Sequence, residues 1–385
     1  MLMIDRLNKI TRIITRKLGV KRIKKIGEVI RKNEKKAIVV GLVYNKREKK
    51  SRLILELEDD TGKILCLVDK ERDYLTYIYV SRIPLDSIIG LSIRRIGKSI
   101  YYIEEVIFPE ERKRAPKRSE EEVYLVLTSD LHVGSKMFLK DAFLRFVKWL
   151  NGKYGNDAML RIASRVKYII IAGDTVDGIG VFPGQEKQLE EIDVRKQYKM
   201  AAEILEMIPE YIEVVILPGN HDATLTVHPQ PPIWRDFAEP LYELPNVRMV
   251  GNPVNVSFHG VNVLSYHGES LEDILTHIPG LSKEKISDAM RILLNVMHLC
   301  PIYGGKTRIL PLKTDELIIS PHPDIFQTGH IHINDHRRVN NTLLINSGTW
   351  QSQTDYQRER GWIPTPGKVP VINLKTGEMR ILSFI

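Results

Sequence analysis

Three short, nearly unbroken apolar runs restrict the fold of the second half of this chain more than anything else in it. They are Val123-Tyr124-Leu125-Val126-Leu127-Thr128, Tyr168-Ile169-Ile170-Ile171-Ala172 and Glu213-Val214-Val215-Ile216-Leu217. Between them, Phe143 to Leu150 and Gln188 to Met207 show helical spacing. Near-continuous apolar strands alternating with helices imply a sheet covered on both faces. In such sheets, ligands bind at loops on the carboxyl ends of the strands. Each run here leads into a polar motif: Asp130-Leu131-His132, Gly173-Asp174-Thr175-Val176-Asp177 and Gly219-Asn220-His221-Asp222. Tyr266-His267-Gly268 and Gly329-His330-Ile331-His332 also sit beside apolar runs.

These are residue types that hold metal ions. Asp130 and His132, two apart at a strand end, are expected to share a face and so offer a carboxylate and an imidazole together. Asp174 follows a buried strand, where a lone carboxylate is costly unless it coordinates something, and bridging two ions meets that need. Asn220 adds a neutral oxygen, and His267, His330 and His332 add nitrogens. Alternation in His330-Ile331-His332 again directs two imidazoles to one side. A mixed oxygen and nitrogen set without sulfur suits manganese, iron or zinc better than calcium or magnesium. Two such ions close together can generate a hydroxide at neutral pH and clamp both oxygens of an in-line displacement at phosphorus. Each motif alone is weak, because Gly-Asp and Gly-Asn turns are common and a histidine near a strand end is usually structural. Together, in this order and each beside an apolar run, they are specific.

At 385 residues the chain exceeds one ordinary core and suggests two domains. Its formal charge of +9 favours an anionic partner. Cys66 and Cys300 form no C-x-x-C pair, so neither a zinc ribbon nor a disulfide framework is supported. No apolar stretch is long enough to cross a bilayer, and the N-terminus lacks a secretory signal, so a cytoplasmic protein without membrane contact is expected.

Residues 1–32 form a basic segment with Leu7, Ile10, Ile14 and Leu18 at helical spacing, read as an amphipathic helix on the following domain. Residues 33–108 carry short β runs. Ala37 to Tyr44 and Arg52 to Glu58 flank a basic tip, Asn45-Lys46-Arg47-Glu48-Lys49-Lys50, and Asp59-Asp60-Thr61-Gly62 turns tightly into Lys63 to Val68. Two more strands, Ser87 to Ile93 and Ile100 to Val106, follow a longer element, and the five together resemble an OB-fold. Lys46, Arg47, Lys49 and Lys50 at that tip are candidates for DNA contact, although solvated lysines also blunt hairpin tips. Residues 109–122, dense in charge and proline, read as a linker before a domain at 123–385.

The motif set resembles the calcineurin-like metallophosphoesterase superfamily. That resemblance implies a two-sheet sandwich flanked by helices, an α/β domain behind the small OB barrel. It assigns one ion to Asp130, His132, Asp174 and His332, and the other to Asp174, Asn220, His267 and His330. His221 would face the scissile phosphate and serve its leaving oxygen, with Asp177 orienting the His221 ring or capping a helix. A further run, Asn346-Ser347-Gly348-Thr349-Trp350-Gln351-Ser352-Gln353-Thr354 through Tyr356-Gln357 to Pro364-Thr365-Pro366-Gly367-Lys368-Val369-Pro370, is similar to the small-subunit family of archaeal family D DNA polymerases. That resemblance covers nearly the whole chain. It implies a 3′→5′ proofreading exonuclease with two divalent ions, manganese foremost. It also implies a heterodimer with a large catalytic subunit, DNA as substrate, and a sliding clamp as a further partner. Eukaryotic relatives have lost metal ligands, whereas this chain keeps every one. Many family members carry a long N-terminal extension before the OB-fold, so contacts made by it elsewhere do not transfer.

Three other readings compete. A phosphatase of the superfamily would carry Arg after the second-motif Asp, where this chain has Gly178. A stand-alone break-repair nuclease leaves the OB-fold and the C-terminal run unexplained. A non-catalytic scaffold leaves the retained ligands unexplained. Arg358 and Arg360 are further candidates for gripping phosphate or the partner, with solvated arginines as the default. Trp234, Trp350 and Trp362 are candidates for stacking on bases, Trp350 reading as core or interface.

Overall fold

The computed structural model describes residues 1–110 and 115–385. The middle of the expected linker, residues 111–114, lies outside the described residues. The chain divides into two compact units. The first holds Met1–Lys113 together with Ser270–Ser282 and Asp288–His322, and the second holds Arg114–Glu269, Lys283–Ser287 and Pro323–Ile385.

In the first unit, β1 (Lys36–Lys49), β2 (Arg52–Asp59), β3 (Gly62–Asp69), β4 (Ile88–Arg95) and β5 (Ile100–Ile107) close a barrel in the order β1-β2-β3-β5-β4. Strict alternation sends Leu53, Leu55 and Leu57 of β2 and Ile64, Cys66 and Val68 of β3 inward. The longer element between β3 and β4 is a helix, Tyr74–Ser81, capped where Asp73 accepts the Thr76 N–H at 3.0 Å. This is the expected OB topology. The N-terminal helix, Leu2–Leu18, packs its buried Leu7, Ile10 and Ile14 against β1 and β4.

Residues 270–282 and 288–322 group with the barrel rather than with the second unit, where the sequence reading left them. A buried ion pair accounts for part of this. Arg6 Nε donates to Asp315 Oδ2 at 2.6 Å, His298 Nε2 lies 3.0 Å from the same oxygen, and Arg6 also donates to the Pro301 carbonyl at 2.7 Å. Arg6 and Asp315 are 309 positions apart, so no local pattern announces the pairing.

In the second unit, β6 (Tyr124–Thr128), β7 (Val166–Ala172), β8 (Glu213–Leu217) and β9 (Val247–Met249) run parallel. A second sheet comprises β10 (Val254–Phe258), β11 (Val261–Ser265), β12 (Ile325–Thr328), β13 (Asn334–Val339) and β14 (Thr342–Ser347). With β15 (Lys368–Asn373) and β16 (Met379–Ser383), the orders are β16-β15-β6-β7-β8-β9 and β10-β11-β12-β14-β13. Leu125, Leu127, Ile170 and Val215 face Val263, Ile325, Leu343 and Ile345 between the sheets. Their neighbours Val126, Ile169, Ile171 and Ile216 instead face a helical layer carrying Phe143, Phe146, Trp149 and Tyr198. The expected sheet covered on both faces is therefore present, within a two-sheet sandwich. β6, β7 and β8 run parallel in one sheet and β11 and β12 in the other, and the loops after their carboxyl ends bring the polar motifs together. Among the described residues no helix is long and apolar enough to cross a membrane.

Trp350 ties the helical layer to that edge. It is 1% exposed and packs on Phe143 and Phe146 at ring-centroid distances of 4.8 and 5.4 Å. Its indole N–H donates to Thr128 Oγ1 at 2.7 Å, and its backbone N–H donates to the Asp130 carbonyl at 2.9 Å. Trp350→Ala is expected to cost about 3–5 kcal/mol, as for other large-to-small aromatic core changes. Trp350→Phe should cost less, roughly 1–3 kcal/mol, chiefly for the unpaired Thr128 hydroxyl. Denaturant melts of the two variants check the order.

Candidate metal centre

The motif loops turn sharply as they leave the strands. Asp130, His132, Asp174, His330 and His332 all have φ between 51° and 66°, the left-handed region that non-glycine residues rarely occupy. Each such residue costs on the order of 1–2 kcal/mol, so surrounding contacts must hold it there. The Asp130 N–H donates to the Gly173 carbonyl at 2.9 Å, and the His132 N–H donates to the Asp174 carbonyl at 3.0 Å. The strands end at Thr128 and Thr328, so it is these turns, rather than strand alternation, that aim Asp130, His132, His330 and His332. His330 and His332 each join a different one of two clusters.

The first cluster is Asp130, His132 and His332. His132 Nε2 and His332 Nε2 are 3.0 Å apart, with Asp130 Oδ1 3.3 Å from His332 Nε2 and 4.0 Å from His132 Nε2. The second is Asp174, His267 and His330, with Asn220 beside it. His267 Nε2 lies 3.1 Å from Asn220 Oδ1 and 3.3 Å from Asp174 Oδ2. Asp174 Oδ2 is also 3.8 Å from His132 Nε2, which places one carboxylate oxygen between the two clusters. His132 and His221 stand edge to face, with centroids 4.7 Å apart.

The donor inventory fits cations. His267 Nδ1 is 2.8 Å from the Ala172 carbonyl and must donate to it, so a neutral ring turns its Nε2 lone pair on two further acceptors, Asn220 Oδ1 and Asp174 Oδ2. His132 repeats the pattern, with Nδ1 2.8 Å from Asp177 Oδ1. Ligand bonds of about 2.0–2.2 Å place neighbouring donors on one ion roughly 3.0–3.5 Å apart, which is the spacing of the closest pairs in both clusters. Glycine gives the room: a Cβ on Gly219 would stand 2.1 Å from Asp174 Oδ1, and one on Gly329 would stand 2.5 Å from Asp130 Oδ2.

The electrostatics agree. Burial opposes charge on His267, yet the Asp174 charge and hydrogen bond outweigh it and hold the ring at about 10. Burial likewise opposes charge on His132, but the Asp177 hydrogen bond, with Asp177, Asp174 and Asp130 around it, holds that ring at about 9. Burial would raise Asp174, and the surrounding histidines drive it well below the usual carboxylate range instead. Carboxylates this deep in the fold create a field that positive charge must satisfy.

His221 has a different setting. Burial lowers its pKa, and its Nδ1 lies 2.7 Å from the Asp177 backbone carbonyl but 4.0 Å from the Asp177 carboxylate. The expected Asp177–His221 link is therefore present through the backbone, and the carboxylate is spent on His132. Asp177 caps no helix in the described residues. Gln351 and Gln185 donate to its two oxygens at 3.0 and 3.2 Å.

The sequence assigns several supporting residues no role, although Asp222 and Gln357 lie in its motifs. Asp222 accepts the N–H groups of Gly219 (2.9 Å) and Thr175 (3.2 Å) and the Tyr198 hydroxyl (3.0 Å), bracing two motif loops. Burial, then the Asp174 charge, push it up to about 6. Gln357 Nε2 meets His332 Nδ1 at 2.9 Å. His228, just beyond the third motif, is fully buried, with its Nε2 3.1 Å from Glu269 Oε1.

The candidate DNA-contact residues divide between the units, with Lys46, Arg47, Lys49 and Lys50 in the first and Arg358 and Arg360 in the second. The first hairpin extends β1 to Lys49, so Lys46 and Arg47 lie in a strand, and the turn is only Lys50 and Ser51. Lys46 is corrected: its Nζ donates to the Ser81 and Ile83 carbonyls at 2.7 and 2.8 Å, and burial lowers it to about 8. Arg47, Lys49 and Lys50 are exposed. Arg358 pairs with Asp355 at 2.7 Å, and the Arg360 guanidinium lies 4.1 Å from the Tyr356 ring centroid.

Comparison with known proteins places this architecture among polymerase subunits. The B-subunit family of DNA polymerases alpha and epsilon matches residues 125–334. The chain is similar to the DNA polymerase II small subunit of Methanothermobacter thermautotrophicus, at 39% identity over 92% of this chain and 73% of that one. It is also similar to the protein of that name from Pyrococcus abyssi, at 37% identity over 99% of this chain. It spans 62% of the length of the Pyrococcus abyssi protein. Among solved structures, an archaeal phosphodiesterase aligns with 68% of this chain and 99% of its own, at 13% identity and a TM-score of 0.37.

A cation bound at Nε2 displaces any proton there, so manganese affinity is expected to rise with pH up to about 10, as His132 (about 9) and His267 (about 10) lose their protons, with proton release on binding. Asp177→Asn removes the partner of His132. It should weaken manganese binding about 10–100-fold and reduce the protons released. Calorimetry in buffers of different ionisation enthalpy measures both, and pH-independent binding without proton release would contradict the site.

Proposed function

The chain belongs to the archaeal DNA polymerase II small-subunit family, and from that premise we propose that it is the 3′→5′ exonuclease subunit of a replicative polymerase. Its substrate on this reading is the single-stranded 3′ end of DNA, and its partner is a large catalytic subunit. The observation that carries the nuclease is Asp174 Oδ2, buried between His267 Nε2 at 3.3 Å and His132 Nε2 at 3.8 Å. A lone carboxylate in that position is compensated best by a pair of cations sharing it.

Asp130, His132, Asp174 and His332 would hold one divalent ion, and Asp174, Asn220, His267 and His330 the other, with manganese as the expected metal. When bound, the pair supplies Lewis acidity toward the phosphate and lowers the pKa of water to near neutrality. The chain's own residues do the rest. Asp177 fixes the His132 tautomer by accepting from Nδ1 at 2.8 Å. The Asp177 carbonyl accepts from His221 Nδ1 at 2.7 Å and so leaves Nε2 to face a phosphate oxygen. A protonated Nε2 there donates to the leaving 3′ oxygen, the general-acid role, and is neutral again when the nucleotide departs. Gly178 occupies the position after Asp177, so the centre lacks the arginine with which phosphatases grip a terminal phosphate. That favours a phosphodiester over a phosphomonoester.

The test is digestion of end-labelled single-stranded DNA with manganese, using wild type and His221→Ala. Stepwise loss from the 3′ end is expected for wild type. The variant should be slower by about 10²–10⁴-fold, the usual contribution of a general acid, and should still bind manganese. Phosphate release from a monoester with DNA left intact would support a phosphatase. Metal binding without either activity would leave an assembly role.

A further inference from the structure

Two loops that support the metal centre also raise aromatic rings to its surface. On the first, Gln185 is fully buried and donates to the Asp177 carbonyl at 2.8 Å, while its N–H donates to the Phe182 carbonyl at 3.3 Å. On the second, Thr354 and Gln357 form a capping box at the start of the short helix Asp355–Glu359. Gln357 also reaches His332, and its carbonyl accepts the Trp362 N–H at 2.8 Å. Each loop is thus anchored by a buried glutamine bonded to a residue of the centre. The rings they carry meet: Phe182 and Tyr356 stack with centroids 5.9 Å apart and planes at 27°, and Trp362 stands edge-on to Tyr356 at 5.8 Å.

Cations lie on these rings. The Arg360 guanidinium is 4.1 Å from the Tyr356 centroid and 5.6 Å from that of Trp362, and Lys283 Nζ is 2.8 Å from the Trp362 centroid. Tyr356 is 37% exposed, and neighbouring Ile363 is 75% exposed. Aromatic rings are normally drawn into the core, where their area counts most. Here well-anchored rings stay at the surface with fixed positive charge among them. An occupant must therefore offer flat apolar faces and negative charge together, and single-stranded nucleic acid does both, its bases stacking on rings or guanidinium planes while its phosphates meet the cations.

We propose that Phe182, Tyr356, Trp362, Arg360 and Lys283 form a stacking platform that takes the bases next to the scissile phosphate of single-stranded DNA. This rests on the nuclease reading for its substrate. The platform determines whether the strand lies still at the centre, so these are positioning residues. Stacking is indifferent to base identity, which suits a site that must accept any 3′ end.

The test separates binding from cleavage. A single-stranded oligonucleotide with 2-aminopurine near its 3′ end is titrated with the whole protein in EDTA, so that no reaction runs. Wild type is expected to quench the fluorescence on binding. Tyr356→Ala and Trp362→Ala should each bind about tenfold more weakly, in the range for loss of one stacked base, and quench little. Tyr356→Phe should behave as wild type. An oligonucleotide with abasic 3′ residues should bind wild type as weakly as the normal strand binds Tyr356→Ala. Unchanged affinity and quenching in both alanine variants would overturn the platform. So would unchanged DNA binding with lost association with a large polymerase subunit, which would make the rings a protein contact. Wild type that binds and quenches but never cleaves with manganese would keep the platform and remove the nuclease. Cleavage equally indifferent to abasic residues in wild type and Tyr356→Ala would do the reverse.

Discussion

A carboxylate removed from water has to be compensated, and Asp174 is where that requirement shapes the whole edge of the sandwich. One of its oxygens accepts the His221 N–H at 2.9 Å, and the other faces two imidazole nitrogens. Neither arrangement is cheap to assemble: the residue sits in the left-handed region and its neighbour Gly219 has to lack a side chain. Strain of this kind persists only where packing over-determines it. Here that packing is two parallel strands, β7 and β8, buried toward their adjacent carboxyl ends, which put motif against motif.

Much of this was legible because strand placement and chemistry coincide in the chain. Val123 to Thr128 and Tyr168 to Ala172 are apolar throughout, a pattern that only a doubly covered sheet satisfies, and each ends at its motif. The barrel was legible for the opposite reason, through alternation in β2 and β3. What alternation misjudged was how the ligands converge. Residues two apart do share a face in a strand, but Asp130 and His132 lie beyond the strand, and local turns invisible to periodicity aim them. The same limit explains Lys46. As part of a basic hairpin tip it read as solvated, whereas β1 continues past it and its ammonium finds the carbonyls of Ser81 and Ile83, some three dozen positions away.

Long-range pairing sets the other boundary on what could be read. Residues 288–322 hold one helix, ending at Val296, followed by irregular chain, and the pairing that helps assign them to the barrel unit joins Arg6 to Asp315. Burying such a pair is itself no strong source of stability, since desolvation offsets most of the attraction. An arginine this deep has few places that meet its charge, and here Asp315 accepts from Nε while the Pro301 carbonyl accepts from Nη1.

The supports of the metal centre follow a rule of their own. Asp177 is steadied by Gln185 and Gln351, His332 by Gln357, and the sheets beneath are joined where Gln327 donates to the Thr128 carbonyl at 3.0 Å. All are amides. A further carboxylate beside Asp130, Asp174 and Asp177 would have raised the repulsion that already pushes Asp222 up to about 6. A lysine or arginine would have satisfied the field that a bound cation is needed to satisfy. Neutral donors hold the ligands in place and leave that field intact. On the reading of this site as a metal centre, cation affinity would depend on these neutral supports as well as on the carboxylates themselves.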